Sequence, residues 1–66
     1  MYSIENLVGD NAFSILAYVK KAMIECGYTK EAQDNYFTAA TSGNYDNLLE
    51  VSRKQCEEMN EAASEK

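Results

Sequence analysis

Eleven of the fifteen residues from Ala12 to Cys26 are apolar, and only Ser14, Lys20, Lys21 and Glu25 interrupt the run. A helix on the surface of a monomer carries an apolar stripe, whereas one that is apolar nearly all round is covered on most sides. Two short partner helices are all that the remainder of a 66-residue chain can supply. They have too little surface to cover such a helix. The segment therefore predicts assembly into a homo-oligomer.

The length points the same way. A chain of this size buries only about 60% of its unfolded surface, and its core rarely contributes more than ~3–5 kcal/mol without a further staple. There is no His, which removes the commonest metal ligand and general base. Cys26 and Cys56 allow at most one internal bridge, and neither belongs to a CxxC pair. With no signal peptide and no apolar run of membrane length in view, they are expected to be reduced cysteines on helix faces in a cytosolic protein. Oligomerisation is the staple that remains.

The net charge is −5, with four Glu against one Lys in residues 55–66. That tail alone carries −3 and the first 54 residues −2. A basic surface for DNA or RNA is absent from this pattern. A small anionic ligand is compatible with it, because helix N-termini and single cations act locally. The acidic tail is expected to be a solvated, fraying helix end.

The chain has no Pro and no repeat. Residues 1–9, where Tyr2 and Ile4 alternate with Ser3 and Glu5, predict an extended arm or a short strand, closed by a Val8-Gly9-Asp10 turn. Helix 1 is expected over 10–26, with Asp10 or Asn11 as its N-cap and Gly27 after its end. Helix 2 is expected over 30–42, capped by Thr29, with Ala32, Tyr36, Phe37, Ala39 and Ala40 on its apolar face. Helix 3 is expected over 45–63. Leu49, Ser52, Cys56, Met59 and Ala63 fall on it at three- and four-residue steps, a seam of small and soft side chains suited to close packing.

The junction between helices 2 and 3 is the best candidate for function. In Thr41-Ser42-Gly43-Asn44-Tyr45-Asp46 a glycine stands between hydroxyl residues and a run of Asn, Tyr and Asp. Gly43 is expected in the left-handed conformation that closes a helix, and Asn44 or Asp46 as the following cap. Caps and turns use the same residues as anion sites, so both roles are open here. Asn11, Phe13 and Ser14 at the start of helix 1 share this ambiguity. Asn11 either caps or binds, and Phe13 either packs or lies under a ring. Tyr45 is either a core aromatic with a bonded hydroxyl or a stacking platform for a base.

Arg53, the only arginine, is expected to pair with Glu50 or Glu57 on the surface, or else to meet a phosphate. Lys20 and Lys21 interrupt the apolar helix; Lys20 can snorkel from an interface, and either Lys can neutralise an anionic ligand in an oligomeric pocket. Most carboxylates fall on helix surfaces, where solvated charge is the default. Neither cysteine has a His partner, and Cys26 lies at a helix C-terminus, which disfavours a thiolate. No nucleophile, base and orienting group come together, so the chain is not expected to be an enzyme. A hydrolase stays the third choice, separable by chromatography of incubated nucleotides.

Gly9-Asp10-Asn11-Ala12-Phe13-Ser14-Ile15-Leu16 and Ala39-Ala40-Thr41-Ser42-Gly43-Asn44-Tyr45-Asp46-Asn47-Leu48-Leu49 together resemble a family of small phage-encoded proteins. Those proteins carry a similar "GNAFAI" segment and, about thirty residues later, "ATSGDYDHLL" at matching separation. Within that group the chain looks like the tetrameric anti-CBASS sponge proteins, which sequester cyclic dinucleotides such as 3′3′-cGAMP without cleaving them. The resemblance spans helix 1 to the start of helix 3. Here Asp10 separates Gly9 from Asn11, Asn44 replaces an acidic residue and Asn47 replaces a histidine. The last two weaken any charge- or imidazole-dependent role at the junction.

The expected protein is all-α, with three short helices and a short N-terminal arm in a homo-oligomer, a tetramer by the resemblance. The expected ligand is a cyclic dinucleotide, with no cofactor, metal, nucleic-acid or membrane partner, in the cytoplasm of an infected bacterial host. Bases would stack on Tyr45, Phe13 or Tyr18. Phosphates would meet Ser14, Thr41, Ser42, backbone N–H groups beside Asn11 and Gly43, and Arg53 or Lys20. The alternative is a phage accessory protein that inhibits a host protein by direct binding.

Overall fold

Each helix starts where a side chain supplies the acceptor that the first turn lacks. In the computed structural model, which describes residues 1–64, these are α1 (Ala12–Glu25), α2 (Lys30–Ala40) and α3 (Tyr45–Ser64). Asn11 Oδ1 accepts from Ser14 N–H at 2.9 Å, Thr29 Oγ1 from Ala32 N–H at 3.1 Å, and Asn44 Oδ1 from Asn47 N–H at 3.0 Å. Of the alternatives left open by the sequence, Asn11 and Asn44 are the caps. The acidic tail continues α3 as far as Ser64, and Glu65 and Lys66 lie outside the described residues.

Two glycines behave differently. Gly27 has φ 88° and ends α1: its N–H donates to Ile24 C=O and Tyr28 N–H donates to Met23 C=O, both at 3.0 Å. This pair of bonds is the Schellman closure that a left-handed C′ residue permits. Gly43 does not take the left-handed conformation expected of it; the described glycines with positive φ are Gly9 and Gly27. Its requirement is spatial. A Cβ at Gly43 would stand 3.0 Å from Asn47 Cβ and 3.1 Å from Asn47 Cγ.

The N-terminal segment is an arm and not a strand. It contains one 3₁₀ turn at Glu5–Leu7, and no strand occurs among the described residues. Gly9, at φ 94°, turns the chain into α1.

The core joins all three helices and the arm. α1 contributes Ile15, Leu16, Val19, Ala22 and Met23; α2 contributes Tyr36 and Ala40; α3 contributes Leu48, Leu49, Cys56 and Met59; the arm contributes Ile4. The seam expected on α3 is buried from Leu49 to Met59, while Ala63 is exposed. Ser52 belongs to it for a reason beyond size: its hydroxyl is fully buried and shares a 2.6 Å hydrogen bond with Tyr36 Oη. On α2, Phe37 and Ala39 face outward and Gln33 is buried in their place, with Nε2 donating to Tyr28 C=O at 3.4 Å.

The described residues leave one side of α1 uncovered. Phe13, Ala17, Lys20 and Ile24 follow one another at four-, three- and four-residue steps, which places them on a single helix face. Phe13 is 76% and Ile24 56% exposed. No described helix is long and apolar enough to cross a membrane.

Candidate functional site

Ala12 and Tyr45, the first residues of α1 and α3, line one cavity of about 340 Å³. Leu16, Ala40 and Leu48 give it an apolar wall, and Thr41, Gly43 and Asn44 its polar rim. The first N–H groups of a helix have no intrahelical acceptor and carry the positive end of the helix dipole. Side-chain caps take one of these donors at each end, Ser14 N–H by Asn11 and Asn47 N–H by Asn44.

Side chains hold this junction in shape. Tyr45 Oη donates to Asp10 C=O at 2.7 Å and accepts from Gly9 N–H at 3.0 Å, tying the start of α3 to the entry of α1. Asn47 Nδ2 donates to Ala39 C=O at 2.9 Å and to Ala40 C=O at 3.5 Å, so it closes the end of α2 from the first turn of α3. That approach needs the bare Cα of Gly43. Thr41 Oγ1 donates to Phe37 C=O at 2.7 Å, and Ser42 Oγ donates to Ala39 C=O at 2.8 Å. Both hydroxyls keep lone pairs and face solvent.

The ten residues singled out from the sequence fall into three groups. Thr41, Gly43 and Tyr45 line the cavity, and Ser42 stands between the first two. Asn11, Phe13 and Ser14 form the entry of α1 beside it, where Ser14 Oγ donates back to Asn11 Oδ1 at 3.2 Å. Tyr18, Lys20 and Arg53 are elsewhere. Tyr18 Oη accepts from Ser3 N–H at 3.1 Å, beneath the arm. Lys20 lies on the uncovered face of α1.

Arg53 pairs with neither Glu50 nor Glu57. Its Nε donates to Glu5 Oε2 at 2.9 Å and its Nη2 to Glu5 Oε1 at 3.2 Å. The guanidinium fork matches the carboxylate only because the arm crosses α3 at that height. The Arg53 guanidinium holds the Glu5 carboxyl below the usual glutamate range, and the Glu5 carboxylate in turn raises Arg53.

Sequence reasoning missed the apolar wall of Leu16, Ala40 and Leu48, which reads simply as core, and it missed Asn47. An amide three residues after a candidate cap is the signal that could have marked Asn47 as a closing group.

The two cysteines sit in different surroundings. Cys56 is buried, and burial followed by the nearby Glu5 carboxylate pushes its thiol up. Cys26 is exposed beside Tyr2, whose phenol is pushed up to about 12 by hydrogen bonding with that thiol and by desolvation. Among the described residues no group of three or more Cys, Asp or Glu is placed to hold a metal ion.

No protein-family model, curated protein or solved structure matches the chain.

Proposed function

We propose that the protein binds and sequesters a cyclic dinucleotide of the 3′3′-cGAMP kind without cleaving it, as a phage protein that blocks CBASS defence in the infected host's cytoplasm. The observation that carries this reading is the cavity lined by the first residues of both α1 and α3. Its apolar wall suits one face of a purine, and the two helix N-termini suit a phosphate at its edge. The likeness of the Asn11-Ala12-Phe13 and Ala40–Leu49 segments to phage sponge proteins supplies the ligand class.

A volume of about 340 Å³ is at the lower end for a small-molecule site. It takes one half of a cyclic dinucleotide. The other half requires a second copy, and the uncovered face of α1 provides the contact: Phe13, Ala17 and Ile24 as the apolar strip, with Lys20 among them as the cation that the cavity itself lacks. A homo-oligomer, a tetramer by the resemblance, is therefore part of the proposal. Sequestration without turnover is supported by the buried, raised Cys56 thiol and the absence of His.

The test is to incubate the protein with a panel of cyclic dinucleotides, remove free ligand, denature the protein and chromatograph what it releases. Intact ligand is expected. Linear products would make the protein a hydrolase, and an empty eluate would remove the nucleotide reading.

The exposure of Phe13 and Ile24 also favours a second reading, in which this face inhibits a host protein by direct binding. In that case the protein ignores nucleotides, and Phe13→Ser abolishes capture of one host partner.

A further inference from the structure

The arm is attached in an unusual way. Its backbone–backbone hydrogen bonds are local, Leu7 N–H to Ile4 C=O at 2.8 Å and Asp10 N–H to Leu7 C=O at 2.9 Å. The bonds that fasten it to the helices all come from side chains. Asn60 Oδ1 accepts from Tyr2 N–H at 2.7 Å while Asn60 Nδ2 donates to Tyr2 C=O at 2.9 Å. Tyr18 takes Ser3 N–H, Arg53 takes Glu5, and Tyr45 takes Gly9 N–H. Ile4, 1% exposed, is the arm's one fully buried side chain.

We propose that residues 1–9 are a releasable strap over the seam between α1 and α3, able to lift as a unit while the three helices stay packed. Among the described residues the arm's backbone–backbone hydrogen bonds stay within residues 1–10, so the helical ladders do not depend on it. The Arg53–Glu5 pair is half exposed and so holds only weakly. Tyr2 and Leu7 are only partly buried against the core, and the bonds of Ser3, Glu5 and Gly9 lie at the surface; units held in this way open locally, below the free energy of global unfolding. The strap already stands over an open groove of about 620 Å³, in which Ile4 and Glu5 face Arg53, Cys56 and Asn60.

Cys56 is the reporter of this motion. It is buried beside Ile4 and is the thiol nearest the Glu5 carboxylate. Lifting the strap removes both the cover and the negative charge, so the thiol becomes accessible and easier to ionise. The proposal does not depend on nucleotide binding, since the strap and its groove stand apart from the residues that line the junction cavity, except at Tyr45.

The experiment uses Cys26→Ser protein, in which Cys56 is the sole thiol and a hydroxyl still stands beside the Tyr2 phenol. Labelling by a neutral aromatic disulfide is timed across low urea concentrations, with helix content followed by far-UV circular dichroism. Labelling is expected to depend on urea more weakly than unfolding does, and the added pair Arg53→Ala and Asn60→Ala to accelerate it about tenfold or more with the helices still folded. Leu48→Ala, which weakens the helical core, serves as the control for global opening. The proposal is overturned if Cys56 labels with the urea dependence of global unfolding. It is also overturned if the strap variants accelerate labelling no more than their loss of global stability accounts for.

Discussion

Tyr45 Oη donates to the backbone carbonyl of Asp10 across 35 positions of sequence, at 2.7 Å, and this bond fixes the angle between the starts of α3 and α1. The same oxygen accepts from Gly9 N–H at 3.0 Å. One phenol thus joins the arm, the entry of α1 and the junction after α2. Tyr45→Phe keeps the ring and removes both bonds. A loss of about 1–2 kcal/mol in urea unfolding is expected, with unchanged far-UV circular dichroism.

The buried Tyr36–Ser52 hydrogen bond gives a different signature. Ser52→Ala leaves the Tyr36 hydroxyl buried without its partner, at a cost of about 1–3 kcal/mol. Tyr36→Phe strands the Ser52 hydroxyl in the same way. The double variant has neither orphan, so its loss is expected to be smaller than the sum of the two single losses. Equilibrium denaturation of all four proteins measures the difference.

Gly27 and Gly43 are expected to rank Ala and Asn differently. Gly27 needs a left-handed backbone, which Asn tolerates better than Ala, so Gly27→Asn is the milder change and Gly27→Ala costs about 1–2 kcal/mol. Gly43 needs room, so any Cβ pushes on Asn47, and Ala and Asn each cost about 1–3 kcal/mol. Thermal midpoints of the four variants decide it.

The Glu5–Arg53 pair makes strap attachment depend on pH in one direction. Glu5 has a lowered pKa in the folded chain because Arg53 bonds its charged form. A carboxyl lowered on folding contributes stability above its unfolded pKa, and that contribution disappears as pH falls through the folded value. Glu5→Gln is therefore expected to unfold at lower urea than the parent near about pH 7, and the difference to vanish as pH falls through the folded Glu5 value and its carboxyl is neutralised. Cys56 labelling in the two proteins should converge in the same range.

Which parts of this were legible in the sequence follows from how far each interaction reaches. Asn11, Thr29 and Gly27 act within four residues of themselves, and local rules placed them correctly. The Leu49, Ser52, Cys56 and Met59 seam was visible because a helix repeats its facing positions regularly. Arg53 was given a neighbour on its own helix because the sequence shows only such neighbours; its partner, Glu5, is 48 positions away on the arm. Asn60 and Tyr2, 58 positions apart, were invisible for the same reason. Gly43 was rightly marked as special and given the wrong cause, since a close approach and a left-handed backbone both call for glycine. Of the ten candidate residues, Thr41, Gly43 and Tyr45 line one cavity, while Tyr18, Lys20 and Arg53 lie elsewhere, because their surroundings depend on how arm and helix faces are disposed in space.

The most direct measurement is isothermal titration of 3′3′-cGAMP into the parent protein, the Tyr45→Ala variant and the Arg53→Ala/Asn60→Ala strap variant, each checked for oligomeric state by sedimentation. Saturable micromolar or tighter binding to the parent and the strap variant, lost in Tyr45→Ala with the assembly intact, is the predicted result. No heat with the parent protein, or full binding by Tyr45→Ala, would contradict the assignment of the junction cavity as the ligand site.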